Sequence, residues 1–124
     1  DIIIWHKNNP IPLQRRLTNA FEFIFVLSKN PIGKYYTKEY THNVWKFPVA
    51  TSGNGHSAVY PEELSDNCVI NFSKKGDLVL DPFIGSGTTA VSARKHGRNF
   101  LGFDINPNYV ELANKRIKQE VLKI

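Results

Sequence analysis

Two acidic residues, Asp81 and Asp104, and the glycine-bearing turn between them carry the chemistry that can be read from this chain. The turn Asp81-Pro82-Phe83-Ile84-Gly85-Ser86-Gly87-Thr88-Thr89 follows the apolar run Leu78-Val79-Leu80 and leads into a helix-forming segment. A strand ending in an acid, then a glycine-rich turn and a helix start, makes a cradle of nucleotide size. Gly85 and Gly87 can take positive φ and lack a Cβ, so a ligand can approach the backbone while unpaired N–H groups of the helix start face it. A second apolar strand, Arg98-Asn99-Phe100-Leu101-Gly102-Phe103-Asp104-Ile105, brings Asp104 to the position from which a βαβ unit sets a carboxylate on a ribose diol. The pattern predicts an adenosine-containing ligand. The turn lacks the three-glycine fingerprint of dinucleotide sites and has no Walker lysine, so NAD and ATP fit it less well.

These residues, with Asn106-Pro107-Asn108-Tyr109-Val110 after them, resemble the S-adenosylmethionine-binding segment of the DNA amino-methyltransferases acting on adenine N6 or cytosine N4. The likeness is to the permuted group that carries this segment near its C-terminus. It extends upstream through Asp1-Ile2-Ile3-Ile4-Trp5-His6-Lys7, Arg16-Leu17-Thr18-Asn19, Phe21 to Lys29, Asn43-Val44-Trp45 and His56-Ser57-Ala58-Val59-Tyr60-Pro61-Glu62-Glu63-Leu64. The resemblance implies an α/β fold, part of a Rossmann-like methyltransferase sheet. The family's catalytic motif, an Asp, Ser or Asn followed by Pro-Pro and an aromatic residue, has no match, since no Pro-Pro pair occurs. The expectation is a C-terminal part of one methyltransferase domain, as a fragment or as half of a split enzyme, with the catalytic strand missing and no catalytic residue in this chain.

By this resemblance, Phe83, Gly85, Ser86, Gly87 and Thr88 wrap the methionine part of S-adenosylmethionine and Asp81 sits beside its amino group. Asp104 binds the ribose hydroxyls, with Asn106 close by, and His56 contacts the cofactor from the other side. The bland reading of Asp104 is a helix-capping acid. Target recognition on double-stranded DNA falls to the insert 30–55 and the loop carrying Gln14, Arg15 and Arg16. There Arg15, Arg16 and Lys34 can neutralise phosphates, while Tyr36 and Trp45 can stack on bases or simply pack the insert against the core. The form of the segment from His56 to Leu64 leans toward cytosine N4 over adenine N6. A non-catalytic remnant that binds cofactor or DNA, and an RNA or small-molecule methyltransferase, are the rival classes.

The elements that must position these groups follow from pattern. Segments 2–6 and 21–28 read as strands, uniformly apolar enough to be buried on both faces. A loop carrying Pro10 and Pro12 joins them, and 30–55 reads as an irregular insert. Pro61 opens a helix with Glu62 and Glu63 in its first turn and Leu64, Cys68 and Phe72 as its apolar stripe; Gly76 marks its end. A helix over about 88–96 ends at Gly97. Asn106 caps a last helix with Pro107 at its first position and Val110, Ala113, Ile117 and Val121 facing inward. Lys115, Arg116, Lys118 and Lys123 read as its solvated face ahead of a DNA contact. The strands 2–6 and 78–81 belong by resemblance to one mostly parallel sheet whose intervening strands are absent, so a complementary polypeptide or dimer mate is expected to complete it.

With 124 residues there is room for one domain, and 16 basic against 11 acidic residues give a net charge of +5, which favours a polyanionic partner. The single cysteine, Cys68, excludes an internal disulfide and reads as a small core residue. His6, His42 and His96 lack a metal-ligand spacing, so no metal is expected. No apolar run approaches a membrane span, and the resemblance implies a cytoplasmic, prokaryotic-type protein acting at the nucleoid.

Overall fold

The computed structural model describes residues 1–10, 12–29, 42–49 and 60–121. The chain divides into two compact units, Asp1–Leu64 and Ser65–Ile124.

In the first unit, β1 (Ile2–Lys7) is the middle strand of three, antiparallel to β2 (Phe21–Phe25) and parallel to β3 (Val44–Phe47). Side chains alternate across a strand, and β1 buries Ile3 and Trp5 while Ile2 stays exposed. The expectation that both apolar strands are buried on two faces is therefore corrected. β2 is an edge strand whose Phe21, Phe23 and Phe25 form an exposed row, with Phe21 and Phe23 packed edge to face at 5.2 Å. β3 lies inside the segment expected to be irregular. Its four residues are too few to reveal a period, yet Trp45 is buried and β1 supplies the ladder.

The second unit is built on a βαβ step. β4 (Leu78–Asp81) and β5 (Asn99–Gly102) pair in parallel, with Leu80 opposite Leu101 and Asp81 opposite Gly102. Parallel neighbours need a crossover, and α2 (Thr88–Lys95) provides it, packing on both strands and on α3 (Pro107–Val121). The core of α2 consists of small residues, Ala90, Ser92 and Ala93, all fully buried. The sheet face bearing Leu78, Leu80 and Leu101 is exposed. β1 and β4 lie in two separate ladders, and no described strand bridges them, in keeping with the expected absence of intervening strands.

Helix ends follow from capping. Gly97 has φ +75, and the bonds Gly97 N to Arg94 O and Arg98 N to Ala93 O close the paired ring of a Schellman end. Asn106 Oδ1 accepts from Asn108 N at 3.0 Å, so Asn106 caps α3. Among the described side chains of the expected α3 stripe, Ala113 is buried, Ile117 half-buried and Val110 exposed. Helix α1 (Glu62–Phe72) ends four residues before Gly76, and its buried face is more polar than expected: Leu64 and Val69 share it with Ser65, Asn67 and Asn71. Asn71 Nδ2 turns back to Asn67 O at 2.8 Å, one helical turn away.

Candidate cofactor site and its clamps

The glycine turn between β4 and α2 is fixed by side chains from three elements. Asp81, the last residue of β4, accepts from Phe83 N at 3.0 Å through Oδ1 and from Thr89 Oγ1 at 2.6 Å through Oδ2. Asp104, just past β5, accepts from Gly85 N at 3.0 Å and from Asn106 N at 2.8 Å. Arg116, on α3, donates through Nη1 to Ser86 O at 2.8 Å, Ser86 Oγ at 3.0 Å and Thr88 Oγ1 at 3.2 Å. Backbone bonds from Ile84 N to Phe103 O and from Gly87 N to Ile84 O complete the turn.

The two glycines of the turn do different work. A Cβ on Gly87, at φ +88, would lie 2.7 Å from Ala113 Cβ and 2.9 Å from its Cα. This glycine lets α3 approach the start of α2. A Cβ on Gly85, at φ +51, would meet nothing nearer than Phe83 O at 4.0 Å. That open side is the space a ligand against the backbone requires. Gly102 is a further close approach, since a Cβ there would run into the Ile84 side chain.

Around this turn Asp81, Gly85, Ser86, Asp104 and Asn106 are half-buried, Gly87 and Thr88 are buried, and Phe83 is exposed. The structure brings these eight sequence-identified residues together in one unit. Asp104 is not the α3 cap, because Asn106 fills that role. Each Asp104 oxygen holds one described hydrogen bond, and an ionised carboxylate has about four acceptor sites, so capacity for a diol remains.

Sequence reasoning missed three features. Thr89 ties the helix start to Asp81. Phe103 and Ile105, both exposed, flank Asp104 with apolar surface. Arg116 belongs to the turn and not to a solvated face, a contact across 30 residues that helix periodicity does not signal. Its neighbour Lys115 fits the expected solvated face, pairing with Glu111 at 2.6 Å.

His56, Lys34 and Tyr36 fall outside the described residues. Arg15 and Arg16 are exposed in the loop between β1 and β2, Arg15 with φ +63. The expectation that Trp45 can stack on a base is corrected: the residue is only 4% exposed and its Nε1 donates to His42 O at 3.0 Å.

Behind the turn, α1 and α2 are joined through Asp66. Its carboxylate accepts from Ser92 Oγ and from Lys95 Nζ at 2.8 Å, with His96 Nε2 at 3.0 Å. Burial alone would raise the Asp66 pKa; the hydrogen bonds from Lys95 and Ser92 and the charges of Lys95 and His96 outweigh it and hold the carboxyl below its ordinary value. Burial pushes the Cys68 thiol up to about 11, which leaves it protonated at neutral pH, as suits a packing residue.

The family pattern "DNA methylase" (N6_N4_Mtase) matches residues 1–115. The chain is 34% identical to the Type II methyltransferase M.Cfr9I of Citrobacter freundii, with 95% of this chain and 44% of that protein covered. It is 36% identical to the Type II methyltransferase M.SmaI of Serratia marcescens, covering 93% of this chain and again 44% of the relative. The crystal structure of an M1.HpyAVI–SAM complex superposes with a TM-score of 0.75 at 29% identity, covering 94% of this chain and 60% of the other. The chain thus spans under half the length of these two curated relatives. A strand-ending acid, a clamped glycine turn and a second acid after β5, set within a matching sequence and fold, make this chain a member of the N6/N4 DNA methylase family.

Proposed function

We propose that the unit Ser65–Ile124 binds S-adenosylmethionine at the β4–α2 turn and that the protein transfers the cofactor's methyl group to an exocyclic amine of a base in double-stranded DNA. The observation that carries this reading is the Asp104–Gly85 bond: one carboxylate both shapes the glycine turn and keeps acceptor capacity for a ribose. The open side of Gly85 leaves room for the ligand, and Phe83, Phe103 and Ile105 offer exposed apolar surface for its adenine. S-adenosylmethionine, when bound, supplies an electrophilic methyl carbon on a sulfonium. The residues of this chain bind and orient that end: Phe83 to Thr88 hold the methionine part, Asp81 lies beside its amino group, and Asp104 anchors the ribose. Such positioning is a large share of the catalysis of a bimolecular transfer.

The acceptor side, where a flipped base presents its amine, requires the Pro-Pro-aromatic motif that this sequence lacks. On this reading these 124 residues are inactive by themselves, and the catalytic strand comes from polypeptide outside them, whether a further part of the same protein or a complementary chain; a second copy could complete the sheet but not supply the motif. Arg15 and Arg16, with Lys34 and Tyr36, serve the DNA. Cytosine N4 stands ahead of adenine N6 on the form of the segment from His56 to Leu64. A non-catalytic binding remnant is the second reading, favoured by the same missing motif.

Native mass spectrometry with and without S-adenosylmethionine tests the cofactor and the partner together. A gain of the cofactor's mass on a chain paired with a second polypeptide or copy supports the reading, whereas a monomer that ignores the cofactor contradicts it. Co-expression with an upstream fragment carrying the motif separates a split enzyme, which restores DNA methylation, from a remnant, which does not. Nucleoside analysis of the methylated DNA then distinguishes N4-methylcytosine from N6-methyladenine.

A further inference from the structure

Arg116 is the one cation of α3 tied to the glycine turn among the described residues, and all three of its described bonds leave from a single nitrogen, Nη1. Their acceptors are a main-chain carbonyl and two hydroxyls that bracket Gly87, the glycine on which α3 closes against α2. A guanidinium placed there engages the Ser86 carbonyl, which has no other described partner, and fixes the hydroxyl directions of Ser86 and Thr88. Hydrogen bonds from a charged donor are about twice as strong as neutral ones, and loss of one leaves a half-buried acceptor without a partner.

We propose that Arg116 is a positioning residue of the cofactor site, which holds the Ser86–Thr88 segment in its ligand-ready shape without itself touching the ligand. The inference rests on the cofactor reading above. A second arginine of the same unit supplies the comparison. Arg98 donates to Ser73 Oγ at 3.0 Å, Ser73 O at 2.6 Å and His96 O at 2.6 Å, joining the end of α1 to the end of α2. It is an equally rich clamp with no described bond to the turn.

The test compares R116M, R116K and R98M in the full chain by hydrogen exchange of the amides of residues 83–91 without ligand and by S-adenosylmethionine affinity. In R116M, exchange across the turn is expected to rise about tenfold and affinity to fall about tenfold, the size of one charge-assisted hydrogen bond. R116K keeps the charge on a shorter reach and is expected to change each by about threefold. R98M is expected to lower thermal stability while leaving turn exchange and affinity within about twofold of the wild type. Wild-type turn exchange in R116K and R116M, or in R116K alone where R116M does not fold, would overturn the proposal. An equal rise in R98M would overturn it too, since the clamp would then be a general support. If R116M loosens the turn but the wild-type chain binds no S-adenosylmethionine, the clamp stands and the cofactor reading fails.

Discussion

Both units leave apolar side chains in the open, but they differ in how firmly polar side chains tie down their connecting segments. In Ser65–Ile124, α2 sets fully buried small residues against β4 and β5, and three polar side chains lock the turn that joins β4 to α2. In Asp1–Leu64, β2 carries Phe21, Phe23 and Phe25 in the open, and β1 is its one neighbour among the described strands. A turn held from several elements is preorganised for a ligand. An exposed aromatic row on a strand with one described neighbour offers a surface for association.

The strongest way to break this contrast is at Gly87. Its positive φ and the closeness of Ala113 combine, so Gly87→Ala is expected to destabilise by about 2–5 kcal/mol, measured by denaturant unfolding. Gly85→Ala separates packing from ligand space: with open room around the Cβ it should cost only about 1–2 kcal/mol of stability, while S-adenosylmethionine affinity falls at least about tenfold. Equal effects of the two substitutions on stability would remove the distinction between them.

Asp66 is the next place to probe within Ser65–Ile124. Asp66→Asn is expected to cost about 1–3 kcal/mol, chiefly through the buried Ser92 hydroxyl, since the Lys95 ammonium is too exposed to contribute much. The folded-state pKa of Asp66 lies below its ordinary value of 3.8. Its ionised form therefore stabilises the fold fully above that value, and the contribution is lost as pH falls through the folded pKa. Acid unfolding of the wild type should show this loss below about pH 4, and Asp66→Asn should show less of it. The smallest effect is expected at Phe23→Ser, within about 0.5 kcal/mol for the chain alone because the ring is 55% exposed. A much larger loss on assembly with a complementary polypeptide would mark β2 as the surface that is covered.

Much of the unit Ser65–Ile124 is legible in sequence because its signals are local. The run Leu78-Val79-Leu80 followed by Asp81, the glycines of the turn, Gly97 as a helix end and the Asn106-Pro107 cap all act within a few residues. Arg116 was not legible, since the same side chain on α3 reads as a solvated cation until Ser86 is known to lie beside it. Gly102 likewise looks like an ordinary strand glycine without Ile84 against it. In the other unit, Phe21 to Phe25 suggests burial by composition, and only the strand order reveals an edge. β3 escaped notice because four residues gain their conformation from β1 and not from their own pattern.

Asp104 shapes the glycine turn, and its proposed second role is to hold the ribose of S-adenosylmethionine. Titration calorimetry of S-adenosylmethionine into the wild-type chain and into Asp104→Ala tests it most directly. The account predicts saturable one-site binding that weakens by about 10–100-fold in the variant, the size of one or two hydrogen bonds to a charged acceptor. Binding of equal strength in a folded Asp104→Ala, or no binding by the wild type, would contradict it.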